Sequence, residues 1–229
     1  MRHTLKIVIV CLSTALTLTV FTLSCGGKLD VVGKDSVRAF GELLQKAPQL
    51  VSADKESGGW SITAPDSGAS FIWGGGQTAR AFDVILEIYA APFIDAGLDI
   101  SKLPATITFS DGKLTVGTKL IPDGSAASGE LTPIAAYERI VNLNRDAIGY
   151  HAALDHYGIN IGGGFLFEWA KDLNANDKDM VFVLNPEPFI NAGVAPDKID
   201  GWAFAKVTVD DENGKPVQVD KILKPFNLN

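Results

Sequence analysis

Pro92-Phe93-Ile94-Asp95-Ala96-Gly97 is written a second time, with one change, as Pro188-Phe189-Ile190-Asn191-Ala192-Gly193. Around these hexapeptides, Phe71 to Lys102 aligns without gaps on Phe167 to Lys198 at a constant offset of 96 residues. Phe71/Phe167, Trp73/Trp169, Ala79/Ala175, Asp83/Asp179 and Lys102/Lys198 are further identities, which bring the total in the window to ten. A match of this length marks two copies of one supersecondary unit, each burying its apolar face against the other.

The pattern around the repeat sets the fold class. Ser36 to Lys46 reads as a helix, with Val37, Phe40, Leu43 and Leu44 on one stripe and Pro48 closing it. Trp60–Thr63 and Ser70–Trp73 read as a hairpin about Pro65-Asp66-Ser67-Gly68. Phe82 to Tyr89 alternates, placing Phe82, Val84, Leu86 and Ile88 on one face and Asp83 and Glu87 on the other. Pro92 to Gly97 is a single helical turn, with Pro near its start and Gly free to go left-handed at its end.

Asp111-Gly112 and Asn213-Gly214 are two-residue hairpin signals that close the two halves. Thr132 caps and Pro133 starts a helix carrying Ile134, Tyr137, Ile140, Val141 and Ile148, with Gly149 as its break. Met180, Phe182 and Leu184 take the face used by Val84, Leu86 and Ile88. The expected fold is α+β: internally duplicated helix-plus-antiparallel-sheet units with pseudo-twofold symmetry. Its divisions are a signal at 1–24, a modified Cys and tether at 25–34, a first repeat at 35–125 and a second at 126–229.

The N-terminus carries an address. Arg2, His3 and Lys6 precede an uncharged run from Ile7 to Ser24 that ends at Cys25, which is the basic front and apolar middle of a secretory signal. Thr22-Leu23-Ser24-Cys25-Gly26 resembles the lipobox of bacterial lipoproteins, in the relaxed form of spirochaete lipoproteins, with Leu23 two residues before the Cys. The resemblance covers only these N-terminal residues and implies acylation of Cys25, palmitate included, and a lipid-anchored, extracytoplasmic place at the cell membrane or outer membrane. An uncleaved span is the competing reading, and the Ser-Cys-Gly-Gly ending favours lipidation.

Cys11 leaves with such a signal, so disulfide and thiol chemistry are excluded from the body. Losing Arg2 and Lys6 takes the formal charge from −7 to −9, which repels nucleic acid and anionic membrane alike. Membrane attachment then rests on the lipid, and any further partner is a protein or a small molecule.

Few residues invite chemistry. Trp73 and Trp169 read as core, with a ligand cleft between the halves as their functional alternative. The triplets Gly74–Gly76 and Gly162–Gly164 lack nucleotide-binding spacing and read as turns. Asp172, Asn174 and Asn176 alternate as oxygen ligands of a Ca²⁺ loop do, but Asp177 stands where Gly is required and Val183 where Glu should be. The expectation there is a solvated loop.

His151, Asp155 and His156 are grouped; on a helix His151 and Asp155 share a face and His156 points away. A core-facing His151 held by Asp155 is the expected role, and no G-x-S-x-G nucleophile elbow is present. No catalytic residue and no cofactor are expected. The reading is a membrane-anchored binding or interaction module, with an envelope structural protein and a metal-dependent hydrolase centred on His151/Asp155 as alternatives.

Overall fold

The structure, a computed structural model, describes residues 28–54, 58–65, 68–74, 82–122, 131–151, 154–173, 179–210 and 215–226. It is an α+β protein built on two six-stranded antiparallel sheets. The first unit runs α1 (Lys28–Lys46), β1 (Val51–Asp54), β2 (Gly59–Thr63), β3 (Ser70–Trp73), β4 (Val84–Tyr89), α2 (Ala91–Asp95), β5 (Thr108–Ser110) and β6 (Lys113–Thr118). The second runs α3 (Pro133–Leu143), β7 (Ile148–His151), β8 (His156–Gly162), β9 (Phe165–Ala170), β10 (Met180–Leu184), α4 (Glu187–Asn191), β11 (Ala203–Asp210) and β12 (Pro216–Phe226). Strand order is β1-β2-β3-β4-β6-β5 in one sheet and β7-β8-β9-β10-β12-β11 in the other, the same path in both.

Residues at matching positions of the two units meet one another. Phe71 stacks on Phe167 with ring centroids 4.7 Å apart, and Phe93 meets Phe189 at 4.9 Å. Phe40 of α1 stacks on Tyr137 of α3 at 4.1 Å. The Asp99 N–H donates to the Ala192 carbonyl at 2.8 Å, and Ala195 N–H to the Ala96 carbonyl at 2.9 Å, the same bond seen from each side. The backbones touch at Gly97 and Gly193, where a Cβ on either would lie within 2.9 Å of the other's carbonyl oxygen. Only glycine fits there, and both have positive φ, +106° and +98°.

These residues belong to one hydrophobic core, in which Phe40, Phe71, Trp73, Tyr137, Phe167, Trp169 and Phe182 form a continuous aromatic column and Phe93, Phe189 and Phe165 a second group of rings. Phe40, Phe71, Trp73, Phe93, Tyr137, Phe167, Trp169, Phe182 and Phe189 are all 0% exposed. The helices cross over as they cap it: α1 lies on α3 and on β7, β8 and β9 of the second sheet, while α3 lies on β2 of the first. Trp73 Nε1 donates to the Pro133 carbonyl at 2.9 Å, stapling the first sheet to the second unit's helix.

Several expectations change. Helix α1 begins at Lys28, inside the stretch expected to be a tether, because Val32 packs on the core and Gly33 lies against Val141. Helix α3 ends at Leu143, and Ile148 and Gly149 open strand β7 instead of continuing it. Phe82 precedes β4 and is 44% exposed, with its ring over Gly117, whereas Ile85 on the outer face is buried. The Asp111-Gly112 turn is as expected, both residues having positive φ; Asn213-Gly214 and the centre of the Pro65–Gly68 turn lie outside the described residues. Gly162, Gly163 and Gly164 form the β8–β9 turn, all at positive φ.

Candidate functional site

The residues that stand out lie on the outer face of the second sheet. Strand periodicity sends Phe165, Phe167 and Trp169 inward, so Glu168 between them points outward. Glu168 is nonetheless only 7% exposed. It leans over β8 at Gly158, where an added Cβ would meet the Glu168 Cγ at 3.1 Å. The missing side chain at 158 is what lets the carboxylate reach across a neighbouring strand.

Two imidazoles face that carboxylate. His151 at the end of β7 and His156 at the start of β8 are cross-strand partners, so their side chains share the outer face. His151 Nδ1 lies 3.6 Å and His156 Nδ1 3.8 Å from the same oxygen, Glu168 Oε2. His156 is almost wholly buried, and its Nδ1 has no hydrogen-bond partner among the described residues; the His151 side chain keeps a quarter of its surface in solvent.

Burial works to raise the Glu168 carboxyl, but the two imidazoles outweigh it, and the group sits below its ordinary range. Lys221 of β12 feels the same carboxylate. Burial pushes its ammonium down, and Glu168 opposes the shift.

This cluster belongs to one copy only. The strand pairings put Asp54, Gly59 and Ile72 of the first sheet at the positions of His151, His156 and Glu168. Gly149 and Gly158, which pair with each other, correspond to Ser52 and Ser61, whose hydroxyls bond at 2.9 Å. Lys113, the counterpart of Lys221, pairs with Glu87 at 2.9 Å, and Glu87 is replaced in the second copy by Val183. Shared packing therefore does not account for the histidines and Glu168.

The other expected site residues fall elsewhere. Trp73 and Trp169 are enclosed in the aromatic column, which is a packing role. Asp155 does not hold His151: it sits in the exposed turn before β8 at φ +54° and accepts the Tyr150 hydroxyl. The segment is a hairpin and not a helix, because Ile148/Ile159 and Tyr150/Tyr157 pair with period two. The sheet thus brings His151 and His156 together, where a helix would have parted them.

Glu168 is inconspicuous in the sequence because it lies inside the repeat window. The usable signal was a carboxylate at the position where the other copy carries Ile72. Asp172 is exposed; Asn174, Asn176 and Cys25 lie outside the described residues. Among the described residues no group of three or more His, Cys, Asp or Glu is arranged to hold a metal ion, and no helix is long and apolar enough to cross a membrane.

A shallow groove of about 400 Å³ runs along α3, lined by Ala135, Glu138, Arg139, Asn142 and Leu143. It brings together no convergent chemistry. Comparison with models of protein families, with curated protein sequences and with solved structures finds no match to the chain.

Proposed function

We propose that the chain is a bacterial lipoprotein, held on the outer side of a membrane by acyl chains on Cys25, whose body is a binding or interaction module without catalytic turnover. In this reading the halves are related by a pseudo-twofold axis through Phe40/Tyr137, Phe71/Phe167 and Phe93/Phe189. The supporting observation is that matching residues of the two halves pack ring on ring where they meet, Phe40 on Tyr137, Phe71 on Phe167 and Phe93 on Phe189, all of them fully buried. A duplicated protein with a ligand cleft at its centre would keep that space open; here recognition falls to the surface, as partner binding requires. The signal, the Ser-Cys-Gly ending and the acidic body supply the address.

Labelling with a radioactive fatty acid tests the anchor. Wild-type protein takes up label and sediments with membranes, whereas Cys25→Ser accumulates as unlabelled precursor. Normal labelling of the Cys25→Ser protein would overturn the assignment.

A further inference from the structure

We propose that the His151–Glu168–His156 cluster is a proton-operated clasp that fastens the edge strand β7 to the second sheet. Strand β7 is four residues long and, among the described residues, ends its sheet and pairs with β8 alone, so little backbone bonding holds it. Its terminal side chain, His151, reaches past β8 to the Glu168 carboxylate on β9, through the gap left by Gly158. A side-chain tie that skips a strand adds an attachment the ladder does not supply.

The tie depends on charge. Glu168 is buried as a carboxylate, and a buried carboxylate needs a cation or several hydrogen bonds. At 3.6 and 3.8 Å neither imidazole makes a full hydrogen bond, so its contribution is electrostatic and exists only when a ring carries a second proton. His151 is the ring that exchanges its proton with solvent, being the partly exposed one; His156, enclosed, completes the wall.

Among the described residues the remaining charged groups nearby do not replace it. Lys221 approaches Glu168 from β12, on the side away from β7, and cannot bind β7. Asp155 is engaged with the Tyr150 hydroxyl, and Lys171 stands over the Tyr150 ring at 5.8 Å. From α1, Asp35 and Arg38 act on Tyr157, which faces inward. With Glu168 ionised and His151 protonated the clasp is closed. With His151 neutral the tie is lost and the β7 edge loosens.

The test is amide hydrogen exchange of the full chain at pH 5.5 and 8, corrected for the intrinsic pH dependence of exchange. The expected result is that β7–β8 ladder amides of Gly149–His151 and His156–Ile159 are protected roughly two- to fivefold more at pH 5.5 in wild type. In His151→Gln and in Glu168→Gln that ratio falls to about one. The β4–β6 ladder of the first sheet serves as internal control and keeps the same corrected protection at both pH values. Glu168→Gln removes a buried charge and can unfold the protein, whereas His151→Gln changes a partly exposed edge residue and carries the test alone. Equal β7 protection at both pH values in wild type overturns the proposal, as does an undiminished ratio in His151→Gln or an equal change in the β4–β6 control.

Discussion

Gly97 and Gly193, 96 residues apart in the chain, touch backbone to backbone, and neither has room for a methyl group. Each follows the short helix that carries Phe93 or Phe189, so the contact fixes how closely the two helices approach. Two requirements, a positive φ and a vacant Cβ position, coincide at one residue in each copy. That coincidence accounts for the glycine that ends the hexapeptide in both halves.

Gly97→Ala is therefore expected to cost about 1–3 kcal/mol from backbone strain alone, with more from the collision with the Gly193 carbonyl. Gly112→Ala makes the comparison: its φ is also positive, at +75°, but nothing lies within 4 Å of the added carbon. Urea denaturation of the two variants should show Gly97→Ala clearly the less stable. Equal losses would mean that the junction yields.

The same junction predicts a contrast between adjacent residues. Phe93→Ala or Phe189→Ala opens a cavity beneath a fully buried ring and should lower stability by about 3–5 kcal/mol. Ile94→Ala, at 42% exposure, should change it by about 0.5 kcal/mol or less. A small effect at Phe93 would show that the junction tolerates voids.

How far the sequence carried the fold can be judged at particular residues. Pro92–Gly97, the Asp111-Gly112 turn and the inward run Val84, Leu86, Ile88 were legible because each rests on local chemistry: fixed φ at Pro, positive φ at Gly, and alternation. The crossing-over of α1 and α3 was not. An apolar stripe says that a helix buries a face, but not which sheet receives it. The β7–β8 segment misled for a similar reason: Ile148 extends the apolar spacing of α3 in phase, and only pairing with Ile159 makes it a strand.

The candidate site was half legible. His151 and His156 were noticed for their chemistry, but their convergence depends on cross-strand register, and their partner Glu168 lies 12 residues beyond His156. Local spacing cannot connect residues joined by a neighbouring strand.

Acid should destabilise the protein through Glu168. Its carboxyl is held below its unfolded value of about 4.3, so the folded state binds that proton more weakly than the unfolded chain does. The contribution is present above the unfolded value and is lost as pH falls through the folded one. Stability measured from pH 6 down to 3 should decline more steeply in wild type than in Glu168→Gln, which has no proton to take up. Parallel curves would show that the imidazoles do not favour the ionised carboxylate.

The last prediction isolates Asp155. The Tyr150 hydroxyl donates to the Asp155 carboxylate, and this bond, with lesser help from burial and from the nearby negative charge, pushes the phenol up to about 12. The phenol is thus protonated in the fold at pH values where it ionises in the unfolded chain, near 10. The stabilisation this bond confers is present below pH 10 and disappears as pH rises through the folded value. Spectrophotometric titration at phenolate wavelengths should therefore show one tyrosine moving to lower pH in Asp155→Asn, while β7 protection at pH 5.5 and 8 keeps its wild-type ratio. If the substitution also abolished that ratio, Asp155 would belong to the Glu168 cluster after all, and the separation drawn between the turn and the clasp would be wrong.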